Sequence, residues 1–265
     1  MPAEESLRDG RVKDALTELQ DQVRKDPGNS GYRVFLFQLL CVLGDWDRAR
    51  DQLKVLADLD AGSLALVHVY GAAVSCEELR RDVFAGTRTP LVLGEPLPWL
   101  ALLFQALATT GPDAAVRAKT IRADAFEQAV AVPGAVDGKE FEWIADADPR
   151  VGPVCEAIID GRYYWVPFER IQAVTIEAPS ALRDKVWAPA TLTLANGGQT
   201  AALLPARYPG SEASGDGLIQ LARKTEWDEV APETFYGRGQ RMLATDTEEY
   251  SLLNVRRIDL RGVPE

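Results

Sequence analysis

Histidine is nearly missing from this chain, with one in 265 residues. A Ser-His-Asp or Cys-His nucleophile would need His68 as its base, yet His68 lies in the apolar run LALVHVYGA with no nearby acid to orient it. That context reads as a buried or half-buried structural histidine, and the same count excludes metal sites built on imidazole. Cysteine is scarce too. Cys41, Cys76 and Cys155 are odd in number, widely spaced and set in apolar surroundings, against a disulfide framework or zinc site and for a reducing compartment. No apolar run reaches the roughly 20 residues that span a bilayer. SLALVHVYGAAVSC (63–76) and PWLALLFQALA (98–108) fit buried helices instead. The opening MPAEESLRDG lacks a basic segment followed by an apolar one, so no secretory signal is read there. Positive charge is also short: 29 Lys+Arg face 40 Asp+Glu, for a net charge of −11. Up to residue 134 there are 15 basic and 19 acidic residues, and after it 14 and 21. Neither half can grip a phosphate backbone, which argues against nucleic acid as a partner. The expectation is a cytoplasmic protein with no membrane partner.

What is present begins with a repeat. GRVKDALTEL (10–19) aligns with GDWDRARDQL (44–53) at an offset of 34 residues, matching Gly10 to Gly44, Ala15 to Ala49 and Leu19 to Leu53. Thirty-four is the tetratricopeptide period, and Ala is wanted where two helices approach closely. Leu36, Phe37 and Leu40 supply the apolar face of the helix between, although Phe37 stands where a small residue is usual. Another 34 residues lands on Glu78 and Val83, so the period does not persist. PWLALLFQALATTGPDAAVRAKTIRADAF still reads as a helical pair, with Trp99, Leu102, Leu103 and Ala106 in one stripe. Residues 1–132 are thus expected to form six or seven helices, tetratricopeptide-like at the front. A first helix in register with Ala15 is truncated, leaving a place where a partner's helix could lie or where another part of this chain packs.

VAVPGAVDGKE (130–140) is rich in Gly, Pro and small residues, and 133–140 reads as a linker. Beyond it the pattern has period 2. Asp160-Gly161, Asn196-Gly197-Gly198 and the stretch 246–249 each divide a pair of apolar segments as a hairpin turn does. LIQLARKTEW reads as a short helix. Residues 141–265 are expected to form a compact β-rich domain of five to seven strands with hidden edges. The fold class is therefore α+β, a tetratricopeptide-like helical domain followed by a β-rich one.

Chemistry is hard to find in this pattern. Asp146 and Asp148 in DADPR could face one way and serve a carboxylate-dependent enzyme or bind a cation, but Asp before Pro more often caps a turn. The loop YPGSEASGDG (208–217) lacks the Lys-Ser/Thr ending of a phosphate cradle, and GRGQR (237–241) has no mechanism attached. No catalytic, cofactor-binding or metal-ligating residue is assigned. The aromatic strand in DGRYYWVPFERI (160–171) alternates, with Tyr163 and Trp165 on one side and Arg162 and Tyr164 on the other. Trp165 is expected in the core and Tyr164 at the rim, with its hydroxyl available to a partner.

WIADADPRVGPVCEAIIDGRYYWVPFERI, DKVWAPATLTL, LPARYPGS and GQRMLATDTEEYSLLNVRRIDL, in that order, resemble the ImpE family of SciE-type or TagJ accessory components of bacterial type VI secretion. The likeness includes the LRDGRVKDAL opening and runs nearly end to end. It implies a non-enzymatic protein without cofactor. Its implied partner is the small subunit of the contractile sheath, captured through a helical segment near that subunit's N-terminus. The family is thereby linked to sheath assembly or to recycling by the sheath unfoldase. The family has no short motif to carry over, so the expected contacts rest on geometry. In tetratricopeptide register Val34, Gln38 and Cys41 face the concave side of the first complete pair, and Arg162 and Tyr164 mark a second surface. A general tetratricopeptide adaptor outside secretion is the competing reading, with the Asp146/Asp148 enzyme behind it.

Overall fold

Among the described residues seven helices come first: α1 (Pro2–Arg8), α2 (Val12–Lys25), α3 (Ser30–Val42), α4 (Trp46–Leu59), α5 (Leu64–Phe84), α6 (Pro98–Ala108) and α7 (Ala114–Gln128). The computed structural model describes residues 2–262. The 34-residue repeat has a direct structural cause. Gly10 and Gly44, at φ 76° and 69°, each make the left-handed turn between the two helices of a pair, where a Cβ would be strained. Asn29 and Asp45 then cap α3 and α4, accepting from the backbone N–H of Tyr32 and Arg48. Ala15, Leu19, Ala49 and Leu53 are all buried between the helices, as the small-then-apolar pattern requires. Among the described residues no helix is long and apolar enough to cross a membrane.

The strands are β1 (Leu91–Val92), β2 (Gly134–Val136), β3 (Lys139–Phe141), β4 (Ile144–Asp146), β5 (Val154–Ile159), β6 (Arg162–Pro167), β7 (Ile171–Ile176), β8 (Trp187–Leu194) and β9 (Gln199–Pro205). After the single turn α8 (Gly217–Gln220) come β10 (Thr225–Ala231), β11 (Thr234–Gly239), β12 (Met242–Thr245), β13 (Glu249–Ser251) and β14 (Arg257–Leu260). Nine of them make one sheet in the order β1-β6-β5-β9-β8-β7-β14-β2-β3, while β13-β12-β4 and the ribbon β10-β11 stand apart. All three expected hairpins form: β5–β6, β8–β9 and β12–β13. At the first of them Asp160 and Gly161, at φ 48° and 70°, have the two positive values of a primed turn.

Two expectations need correction. Residues 133–140 are not a linker, because β2 and β3 lie there, turning at Asp137-Gly138, and β2 pairs with β14. Small residues occupy this segment because it is crowded: a Cβ on Gly134 would strike the Asp259 carbonyl of the neighbouring strand. The strands after residue 132 also exceed the expected five to seven, since several are only three or four residues long and carry too little alternation to register. In the other direction, β1 leaves the helical part and joins β6 as a parallel edge strand.

The nine-stranded sheet separates two cores. On one side Val154, Ile158, Tyr163, Trp165 and Trp187 pack against the helices; on the other Ala157, Val166, Val174, Leu204 and Ile258 pack with Ile144 and Leu243 of the small sheet. Trp187 lies 6.0 Å from Trp46 of α4 and 5.9 Å from Tyr70 of α5, ring centre to ring centre. Trp165 is 6.0 Å from Phe84 and 5.5 Å from Phe104. These tilted contacts are the favoured geometry for aromatic pairs. The aromatic strand is thus the surface on which helices and sheet meet.

Candidate partner-binding surfaces and the buried charge seam

Charged groups are buried along that meeting surface. Arg80 of α5 donates from Nε to Glu156 Oε1 of β5 at 2.7 Å and from Nη2 to the Arg207 carbonyl at 2.9 Å. Arg241 bridges Glu156 and Asp146, while Tyr163 donates its hydroxyl proton to Glu156 and receives the Trp165 indole N–H at 2.7 Å. Arg207 donates to the carbonyls of Val42 at 2.7 Å and Cys41 at 3.2 Å, closing the C-terminal end of α3. The indole of Trp187 donates to Glu77 at 2.8 Å. Burial alone would push Glu156 up, but Arg241 and Arg80 outweigh it and hold it down at about 2. Burial pushes Asp146 up to about 6 against the pull of Arg241.

The carboxylates singled out for chemistry are engaged here. Asp146 accepts from the Asp148 backbone N–H at 2.8 Å and from the Tyr208 hydroxyl at 3.1 Å, in addition to its Arg241 pair. Asp148 pairs with Arg150 and accepts from the N–H of Gly237 at 2.8 Å. Both cap backbone amides. Among the described residues no three of His, Cys, Asp and Glu gather as a metal cluster would. Burial also raises the cysteine thiols, Cys76 to about 11 and Cys155 to about 12. His68 is exposed, not buried as its apolar neighbours imply, because α5 turns His68 and Val69 outward over a cleft beside β8 and β9.

The expected contact residues divide. Val34 is half-buried and, with Leu7, Phe35 and Leu182, lines a groove of about 510 Å³ between α1, the start of α3 and the loop 179–185. Gln38 reaches the same groove, but its side-chain oxygen already accepts from the Arg183 backbone N–H at 3.1 Å. Cys41 is corrected: it is fully buried in the helical core, because the β half covers the inner side of α3. Arg8, Lys185 and Arg223 outnumber Glu4 around the groove, and Arg223 also donates to the Leu7 and Arg8 carbonyls. Arg162 is exposed and lines the cleft beside α5, whereas Tyr164 is half-buried against the β core. These two do not share a surface, since Arg162 sits at the hairpin turn, where alternation no longer fixes its direction. Sequence reasoning missed the seam arginines Arg80, Arg207 and Arg241. Arg80 lies in EELRRD and Arg241 in GRGQR, and neither run distinguishes a buried arginine from a solvated one.

Comparison with known proteins places this architecture. The ImpE protein family profile matches residues 138–259, and a tetratricopeptide repeat profile matches residues 6–68. The type VI secretion system accessory component TagJ of Pseudomonas aeruginosa is 51% identical over 260 residues, covering 98% of this chain and 91% of that protein. The crystal structure of protein VPA1032 from Vibrio parahaemolyticus shares the fold, with a TM-score of 0.90 at 22% identity, over 99% of this chain and 98% of that one.

Proposed function

The chain belongs to the ImpE family, and on that premise we propose that it is a non-enzymatic, cytoplasmic accessory protein of type VI secretion that binds the small contractile-sheath subunit through a helical segment. The half-identical relative bears the accessory name over nearly the whole chain, which favours secretion over a general adaptor. One structural observation carries the binding mode: the groove beside Val34 stays open although the β half buries Cys41 farther along the same helix. Its walls, Leu7, Val34, Phe35 and Leu182, suit the apolar anchors of an amphipathic helix spaced i, i+3, i+4. Its rim cations suit acidic residues flanking those anchors. Bound there, the sheath subunit would be held during assembly or presented for recycling by the unfoldase. Arg162 belongs to a separate cleft beside α5, of about 610 Å³, and the half-buried Tyr164 is not part of its wall. The enzyme reading through Asp146 and Asp148 is disfavoured, because both carboxylates are committed to arginines and amides.

The test is co-elution of the purified protein with the small sheath subunit, intact or shortened by its N-terminal helix. A complex with the intact subunit alone supports the reading. Equal binding of the shortened subunit, or no complex with either, would overturn it.

A further inference from the structure

A second groove lies on the opposite kind of surface. Phe126, Val130 and Trp143 are 36%, 41% and 39% exposed, and all three line one groove of about 450 Å³ between the end of α7 and the β13-β12-β4 sheet. Large exposed apolar side chains are ordinary when scattered, and informative when they converge. The floor is Ala145, Ala147 and Ala244, with Pro149 and Pro153 beside it. The groove is preformed. Gly152, at φ 59°, lets the Phe126 ring lie against the 149–153 turn, where a Cβ would collide with it. The Asp146 N–H to Gly152 carbonyl bond, at 2.7 Å, fixes that turn to β4.

Charge decides what fits. Ala145, Ala244 and Glu249 are cross-strand neighbours in one row, so Glu249 continues the face that forms the floor. On α7, Glu127 follows Phe126 and lies three residues before Val130, at the edge of the groove though outside its lining. Among the described residues neither of these exposed carboxylates, Glu127 and Glu249, has an ion-pair partner, and no Lys or Arg lines the groove. A second copy of this chain placed symmetrically would set the same acidic rim against itself.

We propose that this groove docks a protein segment bearing a large apolar anchor flanked by lysines or arginines. It does not depend on the sheath reading, and its charge is opposite to that of the Val34 groove, so the two surfaces select different segments. The test uses two labelled synthetic amphipathic peptides, one of Leu and Lys and one of Leu and Glu, followed by fluorescence anisotropy. The Leu/Lys peptide should bind with an affinity that falls as salt rises, and any binding of the Leu/Glu peptide, which suits the Val34 groove, should be unchanged by variants of this groove. Trp143→Ser, and separately the surface double variant Glu127→Lys/Glu249→Lys, should each weaken Leu/Lys binding roughly tenfold. Because the charge variants leave the apolar walls intact, they test the site even if Trp143→Ser fails to fold. Failure of the Leu/Lys peptide to bind, or indifference of that binding to the charge variants, would overturn the proposal. So would concentration-dependent dimerisation of the wild type that Trp143→Ser abolishes, since the occupant would then be a second copy.

Discussion

Between α5 and β5, Arg80, Glu156, Arg241 and Asp146 are nearly sealed from water and answer one another. The walls of the Val34 groove are ordinary aliphatics, Leu7, Val34 and Leu182, with the exposed Arg8 and Arg223 at its rim. The two carboxylates singled out for chemistry, Asp146 and Asp148, are spent on arginines and backbone amides, while the groove walls offer apolar contact. That distribution suits a protein that recognises other proteins. It also explains how the helical array and the sheet hold together: the seam joins them through charge, aromatic rings and the capped end of α3.

Breaking the seam should have the largest effect. Arg241→Met strands Asp146 without its cation, leaves Glu156 to Arg80 alone, and should cost about 3–5 kcal/mol in denaturant unfolding. Trp165→Ala removes a ring that touches both Phe84 and Phe104 and should cost about 3–5 kcal/mol. Its unfolding should remain a single transition seen equally by helical and aromatic probes, because one core spans both halves. Two separated transitions would show that the halves are independent units.

Acid sharpens the comparison further. Glu156 is held at about 2, below the ordinary glutamate value, so its contribution is complete above about 4.5 and is lost as pH falls toward 2. Asp146 works the other way: raised to about 6, it favours the folded state below about 4 and loses that contribution as pH rises through 6. Glu156→Gln should therefore flatten the decline of stability below pH 4.5, and Asp146→Asn should flatten the slope between about 4 and 6. Urea midpoints collected across the pH range check both. The smallest effect belongs to Arg162→Ala at the exposed hairpin turn, which should stay within about 0.5 kcal/mol of wild type.

Much of the fold was legible in the sequence because local rules fixed it. Gly10 and Gly44 marked the helical turns, Asp160-Gly161 marked the hairpin, and alternation placed Trp165 inside with Tyr164 at the border. The β2–β3 hairpin was hidden because a crowded strand of Gly, Ala and Val resembles a linker. Cys41 was misjudged because helical periodicity identifies a face but not what later covers it, and here the covering contacts come from 145 and 166 residues downstream, from Arg183 to Gln38 and from Arg207 to Cys41. The seam was out of reach for the same reason, since Arg80 and Glu156 are 76 residues apart. The apolar groove likewise draws on α7, β4 and β12, which no local pattern brings together.

The most direct measurement is calorimetric titration of the small sheath subunit into wild type and into Val34→Glu. Val34 is half-buried at the groove wall, so the variant should keep its thermal midpoint nearly unchanged while a carboxylate enters the site. Affinity is predicted to fall at least about tenfold, or 1.4 kcal/mol. Unaltered binding by a folded Val34→Glu protein would contradict the assignment of the sheath subunit to this groove.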